Sequence, residues 1–267
     1  MLESLYDFES PRMICNHYIY HEPMHVKEHF QKDAHNEWEL LLFLRGNATY
    51  VIEGRHYKLR PFDLVIIRPS KYHYIQIDGN SDYERYNVYF HTSVVGKELL
   101  HALSNDLEVI NCAESERICN LFSKTDLYVH FGDDAFVDLL RGLLRELFYN
   151  LLHAGDRVAS PTSLVSPLIK KALTYINEHL DTIEDVEEIS AALFVTETHF
   201  FRIFKTQMNI SPMKYITQKR LLAAEKRIRA GERPTDVYLK CGFHTYPAFY
   251  KRYVDFFGRT PSQRTKK

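Results

Sequence analysis

The side chains of this 267-residue sequence that could do chemistry are concentrated toward one end. From Thr198 onward there are 16 Lys and Arg against 4 Asp and Glu, whereas residues 1–160 hold 16 against 24. Such a basic cluster is an electrostatic footprint for phosphate. Within it, Thr198, Phe201, Arg202 and Lys205 recur at helical spacing, so they share one face of a helix. A guanidinium can pair bidentately with a guanine edge, which makes Arg202 a base-reading candidate, while Lys205, Lys251 and Arg252 suit phosphate.

The elements that must hold these groups are legible as helices. Ser166-Pro167 opens one with Ile169, Leu173, Ile176 and Leu180 in register. Asp185 caps a short helix over 186–193, Phe194-Val195 turns the chain, and Thr196 caps a helix over 197–208 with Phe200, Ile203 and Phe204 inward. A short helix, a tight turn and a helix with a basic outer face describe a unit sized for the major groove of double-stranded DNA. A similar unit returns about fifty residues on: 235–241, the turn Gly242-Phe243, and 246–256, with Phe204 and Tyr253 as equivalent core positions and Tyr246, Tyr250, Lys251 and Arg252 as candidate contacts. A long helix over 212–230 joins the two, so one subunit can address successive major grooves ~34 Å apart.

The first half has another period. Short apolar runs at 39–44, 48–52, 57–59 and 63–67 are separated by Arg45-Gly46, Glu53-Gly54 and closed by Pro69, and 83–90 alternates aromatic and polar residues. This predicts a small β-barrel. After residue 112 the spacing becomes helical: Phe136, Leu140, Leu143, Leu147 and Leu151 form one stripe, Leu139, Leu144, Phe148 and Leu152 a second, with Asp133-Asp134 at the start and Gly155 at the end. So wide an apolar arc predicts that one stripe packs on the barrel, while the stripe from Phe136 to Leu151 forms a homodimer contact; the other reading is a helix buried within one subunit. The expected architecture is α+β in two domains: 1–158 a barrel with C-terminal helices, 159–167 a linker, and 168–267 an all-α domain with two helix-turn-helix motifs.

Composition narrows the classes. An apolar fraction of 45% and a charged fraction of 26% are those of a globular protein. The sequence has no run of apolar residues of membrane-spanning length, and Met1 to Ser10 carry three acidic and no basic residues, so a cytoplasmic location without a membrane partner is expected. Cys15, Cys112, Cys119 and Cys241 are scattered, as reduced thiols are.

These residues resemble the AraC/XylS transcription regulators. The resemblance rests on Arg202-Ile203-Phe204-Lys205, on Ile210-Ser211-Pro212 with Tyr215-Ile216, Arg220-Leu221 and Ala224, and on Cys241-Gly242-Phe243 with Phe249 and Gly258-Arg259-Thr260-Pro261. His35 to Leu40, Arg45-Gly46, Gly54, Pro61 to Leu64, Pro69 and His73 are similar to the cupin-like sensor domain often found in front of it. Tyr238, Pro247 and Val254-Asp255 depart from the family pattern in the second unit, as do Phe62 and Asn209, which stand at common glycine positions. The resemblance implies a sequence-specific regulator that answers to a small metabolite, expected to be a carbohydrate.

The resemblance also places His35, Glu39 and His73 at positions that hold a metal in cupin enzymes, with Asp33 where a fourth ligand would stand. A metal-dependent cupin enzyme with a nucleic-acid-binding appendage is the alternative. The same groups can hydrogen-bond sugar hydroxyls, and family members usually lack the metal, so no catalytic residue, metal or cofactor is expected. The effector-binding candidates are His35, Trp38, Glu39, Tyr50, His73 and Tyr89, with Tyr72 and Tyr74 as further stacking faces.

Overall fold

The computed structural model describes residues 2–21, 34–153 and 158–262. The chain divides into two compact units, Met1–Ser163 and Leu164–Lys267. The calls on Asp33 and on Gly155 as a helix end lie outside the described residues.

The first unit is built from β1 (Leu2–Ser10), β2 (Met13–Tyr20), β3 (Trp38–Arg45), β4 (Ala48–Ile52), β5 (Arg55–Lys58), β6 (Asp63–Ile67), β7 (His73–Ile77) and β8 (Tyr83–Phe90), then helices α1 (Thr92–Val95) and α2 (Lys97–Ala102), β9 (Val109–Asn111), and helices α3 (Glu116–Tyr128) and α4 (Asp133–Leu152). A six-stranded antiparallel sheet has the order β1-β2-β8-β3-β6-β9, and a three-stranded one the order β5-β4-β7. Between β4 and β5, Glu53 and Gly54 both take positive φ, at 46° and 77°, the backbone that a two-residue hairpin requires.

Side chains alternate across each strand, and the central strands are buried on both faces. From β3, Leu41 and Phe43 join Tyr20, Tyr50, Tyr83 and Ile75 between the sheets. Trp38, Leu40 and Leu42 point the other way and join Tyr86, Val88, Phe90 and the helices. Strands β1, β2 and β7 escape a reading by composition: β1 and β2 mix charged and aromatic residues, and β7 is five residues long.

Helix α4 corrects the dimer expectation. Phe136, Leu140, Leu143, Leu147 and Leu151 are all buried in their own chain, as are Leu144 and Phe148 of the second stripe. Phe136 meets Phe8 edge-on at 4.7 Å, and Phe148 lies 5.9 Å from both Trp38 and Phe90. The reason is geometric: the outer face of the large sheet and α3 together offer the two surfaces that so wide an arc needs.

The expected linker is also shorter than its composition suggests. Ala159 donates to Val109 O on β9 at 2.8 Å, Thr162 to His56 O on β5 at 2.7 Å, and His56 to Ser163 O at 3.0 Å. Ser and Pro keep this stretch out of a helix without keeping it off a sheet edge. Since Ser166 already caps the next helix, Leu164 and Val165 alone stand free of both roles.

In the second unit α5 (Pro167–Glu178), α6 (Val186–Ala192) and α7 (Glu197–Met208) surround Ile169, Ile176, Ile189, Phe200 and Phe204. Helix α8 (Pro212–Arg229) leads to α9 (Pro234–Lys240) and α10 (Tyr246–Phe257), which enclose Ala224, Val237, Phe243, Phe249 and Tyr253. Ser166, Asp185, Thr196 and Thr245 each cap the following helix with a side-chain oxygen, and Asn209 ends α7 at φ 56°, a role glycine often fills. Among the described residues no helix is long and apolar enough to cross a membrane.

Leu147→Ala is expected to lower the stability of the first unit by about 2–5 kcal/mol, the usual cost of emptying a buried leucine site. Urea unfolding measures it. Light scattering on the same variant is expected to show an unchanged assembly state, since Leu147 faces its own sheet.

Candidate DNA-binding and effector-binding sites

The first helix-turn-helix unit leaves one face of α7 open to solvent. Thr198, Phe201, Arg202 and Lys205 are exposed, while Phe200, Phe204 and Met208 anchor the opposite side. Thr196 is exposed too, and its hydroxyl accepts from His199 N at 3.4 Å, leaving its own proton for a phosphate oxygen. Short α6 packs against α7 and buries the small Ser190. Phe194 in the turn takes a φ of 57° and points its ring outward.

On α10, Tyr250, Lys251 and Arg252 are exposed, whereas Tyr246 is half-buried. Tyr246 belongs to an aromatic cluster with Tyr238 at 5.7 Å and Phe249 at 5.9 Å. The bulky Tyr238, where the family pattern has a small residue, is thus absorbed by ring packing rather than by a close helix crossing. Pro247 sits in the first turn of α10, where no intrahelical N–H is required.

Two buried polar groups fix this second unit. Arg220 on α8 donates to three carbonyls, Leu180 and Ile183 at 2.6 Å and Gly242 at 2.7 Å, so one guanidinium ties the end of α5 to the turn before α10. A Cβ on Gly242 would come within 2.6 Å of Arg220 Cζ and of Asp181 O, so the turn admits only glycine. The buried Glu225 carboxylate accepts from Arg229 Nε at 2.5 Å and from Tyr253 and Arg259. The sequence pattern gave Arg220 and Gly242 only as parts of a motif and did not single out Glu225; the signal was a charged residue inside the apolar stripe of α8.

In the first unit, His35, Glu39, Tyr50, His73 and Tyr89 come together between the sheets. His35 Nε2 and His73 Nε2 lie 3.2 and 2.9 Å from the same Glu39 oxygen. The Nδ1 of each ring donates to a backbone carbonyl, His35 to Glu37 O at 3.1 Å and His73 to Lys71 O at 2.8 Å. Each Nε2 therefore meets the carboxylate either as an imidazolium N–H or as a lone pair sharing a cation. The three ligand atoms lie within 4.8 Å of one another and fit a divalent ion of the nitrogen and oxygen class. Tyr50 stacks on His73, with planes 8° apart and centres at 6.1 Å, and Tyr89 meets His35 at 5.1 Å.

Burial pushes the Glu39 carboxyl up, but the hydrogen bonds and charges of His35 and His73 outweigh it and hold it well below the ordinary value. Burial, and next the Glu39 charge, push the Tyr50 phenol well up, so it stays a neutral donor.

Trp38 is not part of this cluster, which corrects its assignment to the effector site. It neighbours Glu39 on one strand, so the two must face opposite ways. Its ring stacks on Phe90 at 6.3 Å beneath the Arg68 guanidinium. Tyr74 likewise alternates with His73 and pairs with Tyr72 at 6.0 Å. What the sequence reading missed on the inner face is Arg85, buried over the rings of Tyr20 and Tyr83 at 5.7 Å each. The odd positions 83, 85, 87 and 89 of the alternating strand carried that signal.

Residues 17–125 match the family of AraC-like ligand binding domains, and residues 189–267 match a helix-turn-helix domain family. Together they account for more than two thirds of the chain. The chain belongs to the AraC family. Its members similar to this chain include the probable transcriptional regulator LumQ of Photobacterium leiognathi, 26% identical over 58% of this chain and 66% of that one. The lactose operon transcription activator of Staphylococcus xylosus is 21% identical over 88% of this chain and 84% of that one. The raffinose operon regulatory protein RafR of Pediococcus pentosaceus is 26% identical over 53% of each chain. The chain is thus a DNA-binding transcription regulator with a ligand-binding domain.

The depressed Glu39 carboxyl has a pH consequence. Its ionised form stabilises the fold above the unfolded carboxylate value, and that contribution is lost as pH falls through the lower folded value. The midpoint of thermal unfolding of wild type is expected to drop below about pH 4.5 more steeply than that of Glu39→Gln, which lacks the titrating group. Parallel curves for the two proteins would contradict the assignment.

Proposed function

We propose that this AraC-family regulator responds to a small neutral carbohydrate bound between the two sheets of its first unit, and that it acts as a cytoplasmic homodimer. The observation that carries the carbohydrate reading is the inner-face constellation of Glu39, His35 and His73, which can fix hydroxyls, beside the rings of Tyr50 and Tyr89, which can pack on a sugar face. The likeness to a lactose and a raffinose operon regulator supports the same class. The homodimer follows from the logic of paired half-sites, and since the α4 stripe is spent inside one chain, another surface makes that contact.

On DNA, the α7 residues Thr198, Phe201, Arg202 and Lys205 read the first groove with Thr196 on phosphate, and Tyr246, Tyr250, Lys251 and Arg252 address the next. The test is selection of bound fragments from the source genome by full-length protein at low and moderate salt, because phosphate contacts weaken as salt rises. Recovery of a shared motif with half-sites about one turn apart is the expected result. Only sequence-blind, salt-labile binding would overturn the base-reading assignment.

Arg202→Ala is expected to weaken binding to a selected site by about 1–3 kcal/mol and to relax preference at a single base position, whereas Lys205→Ala weakens all sequences alike and flattens the salt dependence. Fluorescence anisotropy against a set of singly substituted sites separates the two. Equal loss on every sequence for Arg202→Ala would remove its base-reading role.

A further inference from the structure

The inner face of the large sheet carries two polar side chains to which neither the family likeness nor the sequence pattern gives a task. Asn16 on β2 and Asn87 on β8 are direct partners in the antiparallel register. Both are buried, at 6% and 1% exposure. They share the face of Tyr20 and Tyr83, which belong to the core between the sheets. Asn87 Nδ2 donates to the Tyr89 hydroxyl at 3.0 Å, but the carboxamide oxygens of both asparagines have no hydrogen-bond partner among the described residues. Across from Tyr89 on β3 stands Glu39.

A buried amide oxygen that accepts nothing is unfavourable, and a natural fold retains few of them. Here two stand opposite each other, one register step from the carboxylate of the candidate effector site. We propose that Asn16 and Asn87 form a hydrogen-accepting subsite of the barrel and select a neutral ligand that donates through its hydroxyls. The inference rests on the carbohydrate reading and sharpens it. The two amide oxygens lack donors among the described residues, and the neighbouring Glu39 carboxylate also accepts. Sugar or alditol hydroxyls supply protons to all of them. A carboxylate or phosphate brings further acceptors and no proton for the two amide oxygens. The Arg85 guanidinium on this face lies over the rings of Tyr20 and Tyr83.

The test uses full-length protein and the variants Asn16→Leu and Asn87→Leu, which are close in volume and remove the oxygen. Thermal unfolding is followed without ligand, and then with neutral mono- and disaccharides, alditols, uronic acids and sugar phosphates. Without ligand, Asn16→Leu is expected to unfold at or above the wild-type midpoint, because an unpaired buried oxygen has been removed, whereas Asn87→Leu also loses the bond to the Tyr89 hydroxyl, which offsets part of that gain. The neutral saccharide or alditol that raises the wild-type midpoint is expected to bind each variant at least tenfold more weakly.

A fall in the unliganded midpoint as large as that of Leu147→Ala would overturn the proposal, since the oxygens would then be part of the structural bonding. So would undiminished saccharide affinity, or stabilisation by the acidic sugars alone. If branched leucine prevents folding, Asn16→Ala and Asn87→Ala carry the same comparison without added bulk. If no saccharide moves the wild-type midpoint, the carbohydrate reading fails, and the unliganded midpoints still decide whether the two oxygens are unspent.

Discussion

The first unit depends on a single constraint, the burial of β3 and β8 on both faces. Because side chains alternate, each of these strands divides its residues between two tasks that cannot mix. Leu40, Leu42, Tyr86, Val88 and Phe90 go outward and hold α3 and α4, while Glu39, Leu41, Phe43, Arg85, Asn87 and Tyr89 go inward. A slip of one residue would send Glu39 and Asn87 into the helix-packing core and Trp38 between the sheets. The register is held by apolar mass, since α4 packs seven buried apolar side chains on the outer face. The polar inner face therefore owes its geometry to a core it does not touch.

The second unit solves a related problem with polar groups instead. Its two helix-turn-helix motifs are short, and the open faces of α7 and α10 contribute little to its core. Their placement falls to α8, whose Arg220 and Glu225 spend buried charge on carbonyls, a phenol and two guanidinium groups. Such groups are costly to bury unless fully bonded, and each here has several partners. They set angles between helices in a way that sliding apolar surfaces do not.

How much of this was legible in the sequence follows the same division. The second unit could be read almost residue by residue, because Asp185, Thr196, Pro212 and Gly258 mark helix ends through local backbone chemistry that no distant contact overrides. The strands with a clear turn or alternation, β3 to β6 and β8, were legible for the same reason. Strand faces were not. Trp38 and Glu39 are adjacent, and nothing local says which one looks inward; the answer lies in α4, more than ninety residues away. The α4 stripe misled for a similar reason, since a wide apolar arc is the same whether its second surface is a sheet or a second copy. Composition could also not show that 158–163 pairs with sheet edges, because that pairing uses only backbone groups.

Those edges give the first unit a mechanical consequence. β9 ends the large sheet and β5 ends the small one, and the segment that leads out of the unit bonds to both, to Val109 on one and His56 on the other. Arg55 and Tyr57 of β5 reach Glu108, next to β9, across the same seam. A ligand seated between the sheets, as proposed, would meet both of them, and residues 158–163 are bonded to the edge of each. A ligand shifts a conformational equilibrium only by as much as its affinity differs between the states. The inner face, with its His35–Glu39–His73 cluster, is where such a difference would arise under the proposed reading, and residues 158–163 carry the chain from the edges of both sheets toward the second unit.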